Sequence, residues 1–408
     1  MGFAVMMIVV VLAVHYYLWR RLVRSTTVPG RSRRALTWAM VGLVLLVVAT
    51  FIGTRVEAGL WWLAWPGYIW FAMMFYLVVF LVILEIPRAV VSRLWRRPAV
   101  PEVKEPVLVS GGAPPETEPA RTSAQTSGDA DDVSRRLFIG RTTALVAGVA
   151  AAGTVGYGMR TALGPPVIEP VKVTLPKLDP RLGGLRFAVV SDIHLGPLTG
   201  IGHTERIVRM INELEPDVVA IVGDLVDGSV AELGALAKPF RSLESRYGSY
   251  FVTGNHEYYT ANGPNEWVKE LDGLGVRSLR NERVEIRHQG AVLDLAGVND
   301  INGASMDDGP DFDKALGGRD AARPTVLLAH QPVQVDRAKD YGVDLQLSGH
   351  THGGQIVPFN LVVPLQQPVV SGLATVDGVQ VYVTRGAGFW GPPVRVGAPP
   401  EITLLELR

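Results

Sequence analysis

Five short polar stretches in this 408-residue chain carry side chains suited to metal chemistry. They read Ser191-Asp192-Ile193-His194, Gly223-Asp224-Leu225-Val226-Asp227, Gly254-Asn255-His256-Glu257, His330-Gln331-Pro332 and Gly349-His350-Thr351-His352-Gly353. The last is the most telling. Two histidines one residue apart on a glycine-flanked turn can offer imidazole nitrogens to two neighbouring points, provided the turn leaves the extended form. Such a pair suits two metal ions better than one. The chain has no cysteine, so it contains neither a thiolate site nor a disulfide, and any metal is held by nitrogen and oxygen. Of the remaining histidines, His15, His203 and His288 read as ordinary interfacial or surface residues.

Each stretch follows an apolar run that reads as a buried strand: residues 185–190, 217–222, 249–253, 325–329 and 343–348. Ile207, Met210, Ile211 and Leu214 have helical spacing that stops before Pro216. From about Pro165 onward, short apolar runs alternate with amphipathic stretches, the pattern of an α/β or α+β domain. Ligands collect beyond the carboxyl ends of strands in open α/β sheets, so the five polar stretches are expected to converge on one site.

In this order, Asp-x-His, Gly-Asp-x-x-Asp, Gly-Asn-His-Glu, a lone histidine after a strand and Gly-His-x-His resemble the calcineurin-like metallophosphoesterase superfamily. The likeness covers residues 167–407. Leu195-Gly196, Gly353-Gly354-Gln355-Ile356, Arg385-Gly386-Ala387-Gly388 and Gly391-Pro392-Pro393 look like its bacterial membrane-anchored or twin-arginine-exported branch, which is related in sequence to enzymes acting on lipid-linked and nucleotide-sugar phosphates. The resemblance implies a fold: a four-layer α/β sandwich of two mixed β-sheets flanked by helices, preceded here by an α-helical transmembrane region. Residues 284–297, with Gln289-Gly290 as a turn, and closing strands at 380–384 and 401–407 agree with it.

The resemblance also implies roles. One metal would take Asp192, His194 and His352, the other Asn255, His330 and His350, with Asp224 bridging them. A hydroxide between two divalent ions (manganese, zinc or ferrous iron) would attack phosphorus while His256 protonates the leaving oxygen. Asp227 and Glu257 would orient ligands. Purple acid phosphatases, in the same superfamily, place an iron-binding tyrosine where this chain has Asp227, which argues against a coloured ferric site.

Net charge is zero, with acids and bases intermixed after the first third, so nothing points to nucleic acid. Hydrophobic residues reach 48%, and the excess sits near the N-terminus. Residues 3–19, 35–52 and 68–84 read as three transmembrane helices within residues 1–97. The arginines at 20–34 and 88–97 place both flanking segments in the cytoplasm. Residues 98–133, rich in Pro, Glu, Ser, Thr, Gly and Ala, read as a disordered cytoplasmic linker. Ser134-Arg135-Arg136-Leu137-Phe138-Ile139-Gly140 and the weakly apolar run after it, within residues 134–160, resemble a twin-arginine export signal. The positive-inside rule alone would also put paired arginines there, as the flank of a fourth transmembrane segment. Both readings make residues 165–408 extracytoplasmic, on a multi-pass protein of the cell membrane.

The expected activity is dimetal hydrolysis of phosphodiester or pyrophosphate bonds in a lipid-linked or envelope substrate. A phosphomonoesterase on the same scaffold, or a membrane-tethered non-catalytic binding protein, are the alternatives. The expected partners are the membrane, the phosphate-containing substrate and the twin-arginine export machinery.

Overall fold

A computed structural model of the chain describes residues 2–56, 58–94, 123–260 and 262–408. Two compact units are present, one made of Met1–Val48 with Trp70–Thr154, the other of Ala49–Ile69 with Val155–Arg408.

The apolar runs of the N-terminal third become long helices: α1 (Gly2–Leu18, continued by a wider turn Trp19–Arg24), α2 (Arg31–Val56), α3 (Ala64–Leu94) and α4 (Ser123–Leu163). All four are long and apolar enough to cross a membrane. In the first unit, Glu85 is gripped by Arg21 at 2.6 Å and Arg88 at 2.7 Å, while Arg141 Nε donates to the Thr26 carbonyl at 3.0 Å. The arginine clusters of the sequence thus share one end of this unit. His15 is buried, donating from Nδ1 to the Val11 carbonyl and accepting at Nε2 from Trp70 Nε1 at 3.1 Å, so it is a packed residue and not a surface one. Residues 98–122 lie outside the described residues, but residues 123–133 are helical, because helix propagation from the span behind them adds one hydrogen bond per residue fixed.

Among the described residues the second unit contains twelve strands: β1 (Val167–Val173), β2 (Arg186–Val190), β3 (Val218–Val222), β4 (Ser249–Val252), β5 (Val276–Ser278), β6 (Glu282–His288), β7 (Ala291–Gly297), β8 (Thr325–Leu328), β9 (Leu345–Ser348), β10 (Gly372–Val376), β11 (Val379–Val383) and β12 (Glu401–Leu407). They form two six-stranded mixed sheets, ordered β1-β12-β2-β3-β4-β5 and β10-β11-β9-β8-β7-β6. Within them β2, β3 and β4 run parallel to one another, as do β7, β8 and β9. Strands β3, β4, β8 and β9 are buried along their whole length, so β3, β4 and β8 read as largely apolar runs, whereas β9 alternates and buries Gln346 and Ser348 by hydrogen-bonding them to each other and to the Pro332 and Ala329 carbonyls.

Three apolar cores separate four layers. Phe187, Val218, Val222, Leu295, Val326 and Leu347 fill the space between the sheets. Ile207, Ile211, Phe240, Trp267 and Leu271 pack α5 (Ile201–Glu213), α6 (Val230–Ala237) and α7 (Asn265–Gly273) onto the outer face of the first sheet. Phe312, Leu316, Val335 and Ala338 do the same for α8 (Phe312–Leu316) and α9 (Val335–Ala338) on the second. The helix expected around Ile207 is α5.

Candidate metal centre

The polar stretches all sit just past the carboxyl ends of β2, β3, β4, β8 and β9, so both sheets contribute to one pocket. Three of these turns leave the extended form in the same way. Asp192, His194, Asp224, His350 and His352 all have positive φ, between 48° and 70°, a left-handed backbone that costs a residue with a Cβ roughly 1–2 kcal/mol. This concentration of strain lets residues one or two apart aim their side chains into the same space. Two glycines keep that space open: a Cβ on Gly254 would collide with the Asp224 carboxylate, and one on Gly349 with Ser191 and Asp192.

Two groups of donor atoms result. In the first, His352 Nε2 lies 3.3 Å from Asp192 Oδ1 and 3.1 Å from His194 Nε2. In the second, His330 Nε2 lies 3.2 Å from Asp224 Oδ2, and His350 Nδ1 lies 2.9 Å from Asn255 Oδ1. Asp224 Oδ2 is also 3.9 Å from His194 Nε2, which places this carboxylate between the groups. Ligands about 2.0–2.2 Å from one divalent ion stand roughly 3 Å apart, so these separations fit a shared cation. A second observation agrees. His330 Nε2 is buried and has no hydrogen-bond partner despite its closeness to Asp224, while its Nδ1 donates to the Val222 carbonyl at 2.8 Å. Burial opposes charge on His330, but Asp224 outweighs it and raises the ring well above its usual value, so without a metal a proton stands between Nε2 and the carboxylate where a cation would.

Electrostatics sort the groups into distinct protonation states. Burial drives His350 down to about 3, reinforced by His330, and burial together with Arg395 holds His352 well below its usual value, so both stay neutral, the form that ligates metal. Burial favours a neutral Asp224, but His330 and His256 outweigh it and hold the carboxyl well below the usual range. Burial likewise opposes charge on His256, yet Asp224 and Asp227 raise it to about 9. One oxygen of Asp227 accepts from both His194 Nδ1 and His256 Nδ1 at 2.7 Å, turning each Nε2 toward the pocket. Burial and Asp224 push Glu257 up to about 7, and its carboxyl accepts the backbone N–H groups of Asp224, Leu225 and Gly254, fixing that strained turn.

Two residues escaped the sequence reading. Arg395 is fully buried and spends its donors on the carbonyls of His352, Gly386, Gly388 and Ala398, with Nη2 also 3.1 Å from His352 Nδ1. It ties the glycine-rich loop to the His-x-His turn. Its signal was its isolation as the lone charge between Gly386 and Pro400. Asp300, beyond β7, is buried and accepts from Gln331 Nε2 at 3.0 Å, bracing the turn that carries His330. Val298-Asn299-Asp300 repeats the strand-into-polar pattern of the other stretches. At the mouth, the His256 ring packs against Tyr259 at 5.0 Å and Trp390 at 6.0 Å, both substantially exposed, whereas Phe389 is buried. His203 and His288 lie outside these groups, and His288 is buried against the Tyr247 hydroxyl at 2.7 Å.

Residues 185–354 match the calcineurin-like phosphoesterase family. The chain is 32% identical over 289 residues to an uncharacterized metallophosphoesterase of Bacillus subtilis, covering 68% of this chain and 98% of that protein. It is 41% identical over 259 residues to an uncharacterized metallophosphoesterase of Helicobacter pylori, covering 62% and 68%. A transmembrane protein with metallophosphoesterase domain from Danio rerio is 41% identical over 261 residues, covering 62% of this chain and 60% of its own length. The chain belongs to the calcineurin-like metallophosphoesterases. Among the described residues it has four helices long and apolar enough to cross a membrane, and it spans about 60% of the length of the Danio rerio relative.

Proposed function

We propose that this protein hydrolyses phosphodiester or pyrophosphate bonds of a lipid-linked or envelope substrate on the extracytoplasmic side of the membrane. Asp192, His194 and His352 would hold one divalent ion, Asn255, His330 and His350 a second, and Asp224 both, with manganese, zinc and ferrous iron as candidates. When bound, such ions supply Lewis-acid charge to phosphate oxygens and make water acidic enough to serve as a nucleophile at neutral pH. The protein's own part is proton delivery and positioning. Asp227 holds His256 by Nδ1, so the proton available to a leaving oxygen is the one on Nε2. Asn255 and His350 face each other across the same space, and Glu257 keeps the Asp224 backbone in its strained turn.

One observation carries the substrate reading. The last turns of α4 pack directly on the loop that closes the site: the Gly158 carbonyl accepts from Arg395 N at 2.9 Å, and Arg395 in turn holds Gly388 and His352. The span and the domain strand β1 are separated only by Gly164-Pro165-Pro166, a tether of about 10 Å at roughly 3.3 Å per residue. A pocket kept this close to the end of a span meets membrane-embedded phosphates at high effective concentration. The test is turnover by the full chain in lipid vesicles, supplied in turn with each metal, of a lipid-linked pyrophosphate, a soluble diester and a soluble monoester. The lipid-linked substrate is expected to be preferred. A dominant rate on the soluble monoester would overturn the reading.

A further inference from the structure

The segment after the His-x-His turn carries an unusual surface. Val357, Phe359, Leu361, Val362 and Leu365 are exposed, Leu361 to 74% and Leu365 to 82%, within nine residues. No Asp, Glu, Lys or Arg occurs from Gly353 to Val376. Isolated exposed apolar residues are ordinary, but a contiguous uncharged cluster marks an interaction surface.

The segment is firmly built. It enters through a bridge between Ile356 and Val396, with Val357 N donating to the Val396 carbonyl at 3.0 Å, and leaves through buried Gln367, whose Oε1 accepts from Val333 N at 3.0 Å. Between these pins the chain makes two short 3-10 turns, Phe359–Leu361 and Val363–Leu365. Several of their N–H groups are satisfied locally: Phe359 by Ile356, Leu361 by Pro358, Val362 by Phe359, Leu365 by Val362 and Gln366 by Val363. Each donor paired within the loop lowers the cost of bringing it to the apolar edge of an interface.

Its location names the occupant. The strand partner of the segment, Val396, directly follows Arg395, whose N–H bonds the Gly158 carbonyl near the end of the span α4. The cluster is therefore continuous with the point where the chain leaves the membrane. Gln355, at its start, also holds Trp390 through two bonds, Nε2 to the Trp390 carbonyl at 2.9 Å and Oε1 from Trp390 N at 3.0 Å. Half-exposed tryptophan beside exposed aliphatic side chains is the composition of a membrane-interface anchor.

We propose that residues 357–365 form a wedge that inserts into the apolar edge of the lipid bilayer and sets the mouth of the metal centre at headgroup depth. The wedge stands independently of the substrate reading, because its test measures position and not turnover. The native chain lacks cysteine, so Leu361→Cys or Leu365→Cys in the full-length protein takes a single environment-sensitive nitrobenzoxadiazole label. Both positions are exposed enough that the substitution leaves the core intact. In phosphatidylcholine–phosphatidylglycerol vesicles, both labels are expected to shift to the blue and to lose emission when nitroxide-bearing lipids are included. A label at Glu213→Cys on exposed α5 should do neither. Labels at 361 and 365 that stay fully open to aqueous iodide overturn the proposal. So do labels that are shielded yet untouched by nitroxide lipids, whether dilution of protein in lipid exposes them, as for a second copy, or not, as for coverage by the chain's own helices.

Discussion

Asp224 and His256 are 32 residues apart, joined by a 2.9 Å bond from His256 N to Asp224 Oδ1, yet their environments give them opposite tasks. Asp224 is a carboxylate held ionised among histidines, the state in which it can bind two cations. His256 is held protonated, with an acidic hydrogen and no free lone pair toward the pocket. Asp224→Asn keeps the shape and removes the charge, so it should lower metal content and abolish turnover. His256→Ala should retain metal and lose rate, by about 100- to 10,000-fold for a missing general acid. Metal analysis of both variants beside their rates separates the roles. Loss of metal from His256→Ala, or two ions and full activity in Asp224→Asn, would contradict the assignment. Arg395 acts on the same pocket from behind. Burial brings its pKa down to about 10, still well above neutrality, so it remains a cation whose donors are taken up by backbone carbonyls and whose charge adds to burial in lowering the His352 pKa.

The turns joining strands to these side chains are where fold and chemistry meet. Those after β2, β3 and β9 carry left-handed non-glycine residues, and glycines stand where a methyl group would strike a carboxylate. Gly254→Ala and Gly349→Ala should therefore displace Asp224 and Asp192 respectively and lower metal content by a factor large enough to silence the enzyme. Gly273→Ala, with open space around it at the end of α7, should be indistinguishable from the parent. Equal metal content in all three would show that the pocket relaxes around a methyl group. Strands β3, β4 and β8 were legible in the sequence because burial on both faces leaves a local mark, a largely apolar run ending in polar residues. The order of the polar stretches was legible for the same reason. Arg395, Asp300 and the exposed cluster at 357–365 were not singled out, because what matters about them is a partner or a surface set by distant chain: Arg395 serves His352, 43 residues away, and Asp300 serves Gln331, 31 away. The left-handed turns leave no periodic trace. The early start of α4 went unread because its first residues have the composition of a linker and take helical form from the span they precede.

On the proposed topology the arginine-rich flanks of the spans lie in the cytoplasm and residues 165–408 outside it, with α4 as the last crossing. At 1.5 Å per residue its 41 residues extend about 60 Å, twice the roughly 30 Å of a hydrocarbon core, so an apolar crossing and a projecting first part both fit within one helix. Arg135, Arg136 and Arg141 lie toward its start, and Arg141 reaches the same turn that follows Arg20, Arg21 and Arg24. At its other end, Gly158 bonds the loop of the metal centre. A hydrogen-bonded cluster of arginines around Glu85 is strongly disfavoured on the translocated side, whereas the phosphoesterase domain carries acids and bases in mixture and can fold on either. Topology reporters fused after Pro101 and after Gly164 should accordingly give opposite answers, cytoplasmic for the first and extracytoplasmic for the second. Replacing Arg135 and Arg136 together by lysine divides the two routes across. The positive charge is preserved, so an ordinary fourth span keeps its orientation and the reporter at Gly164 stays outside. A twin-arginine signal, read by its receptor through guanidinium groups that lysine cannot imitate, loses export, and the same reporter turns cytoplasmic. A cytoplasmic reporter at Gly164 in the unaltered chain would reverse the topology itself, and with it the placement of the substrate.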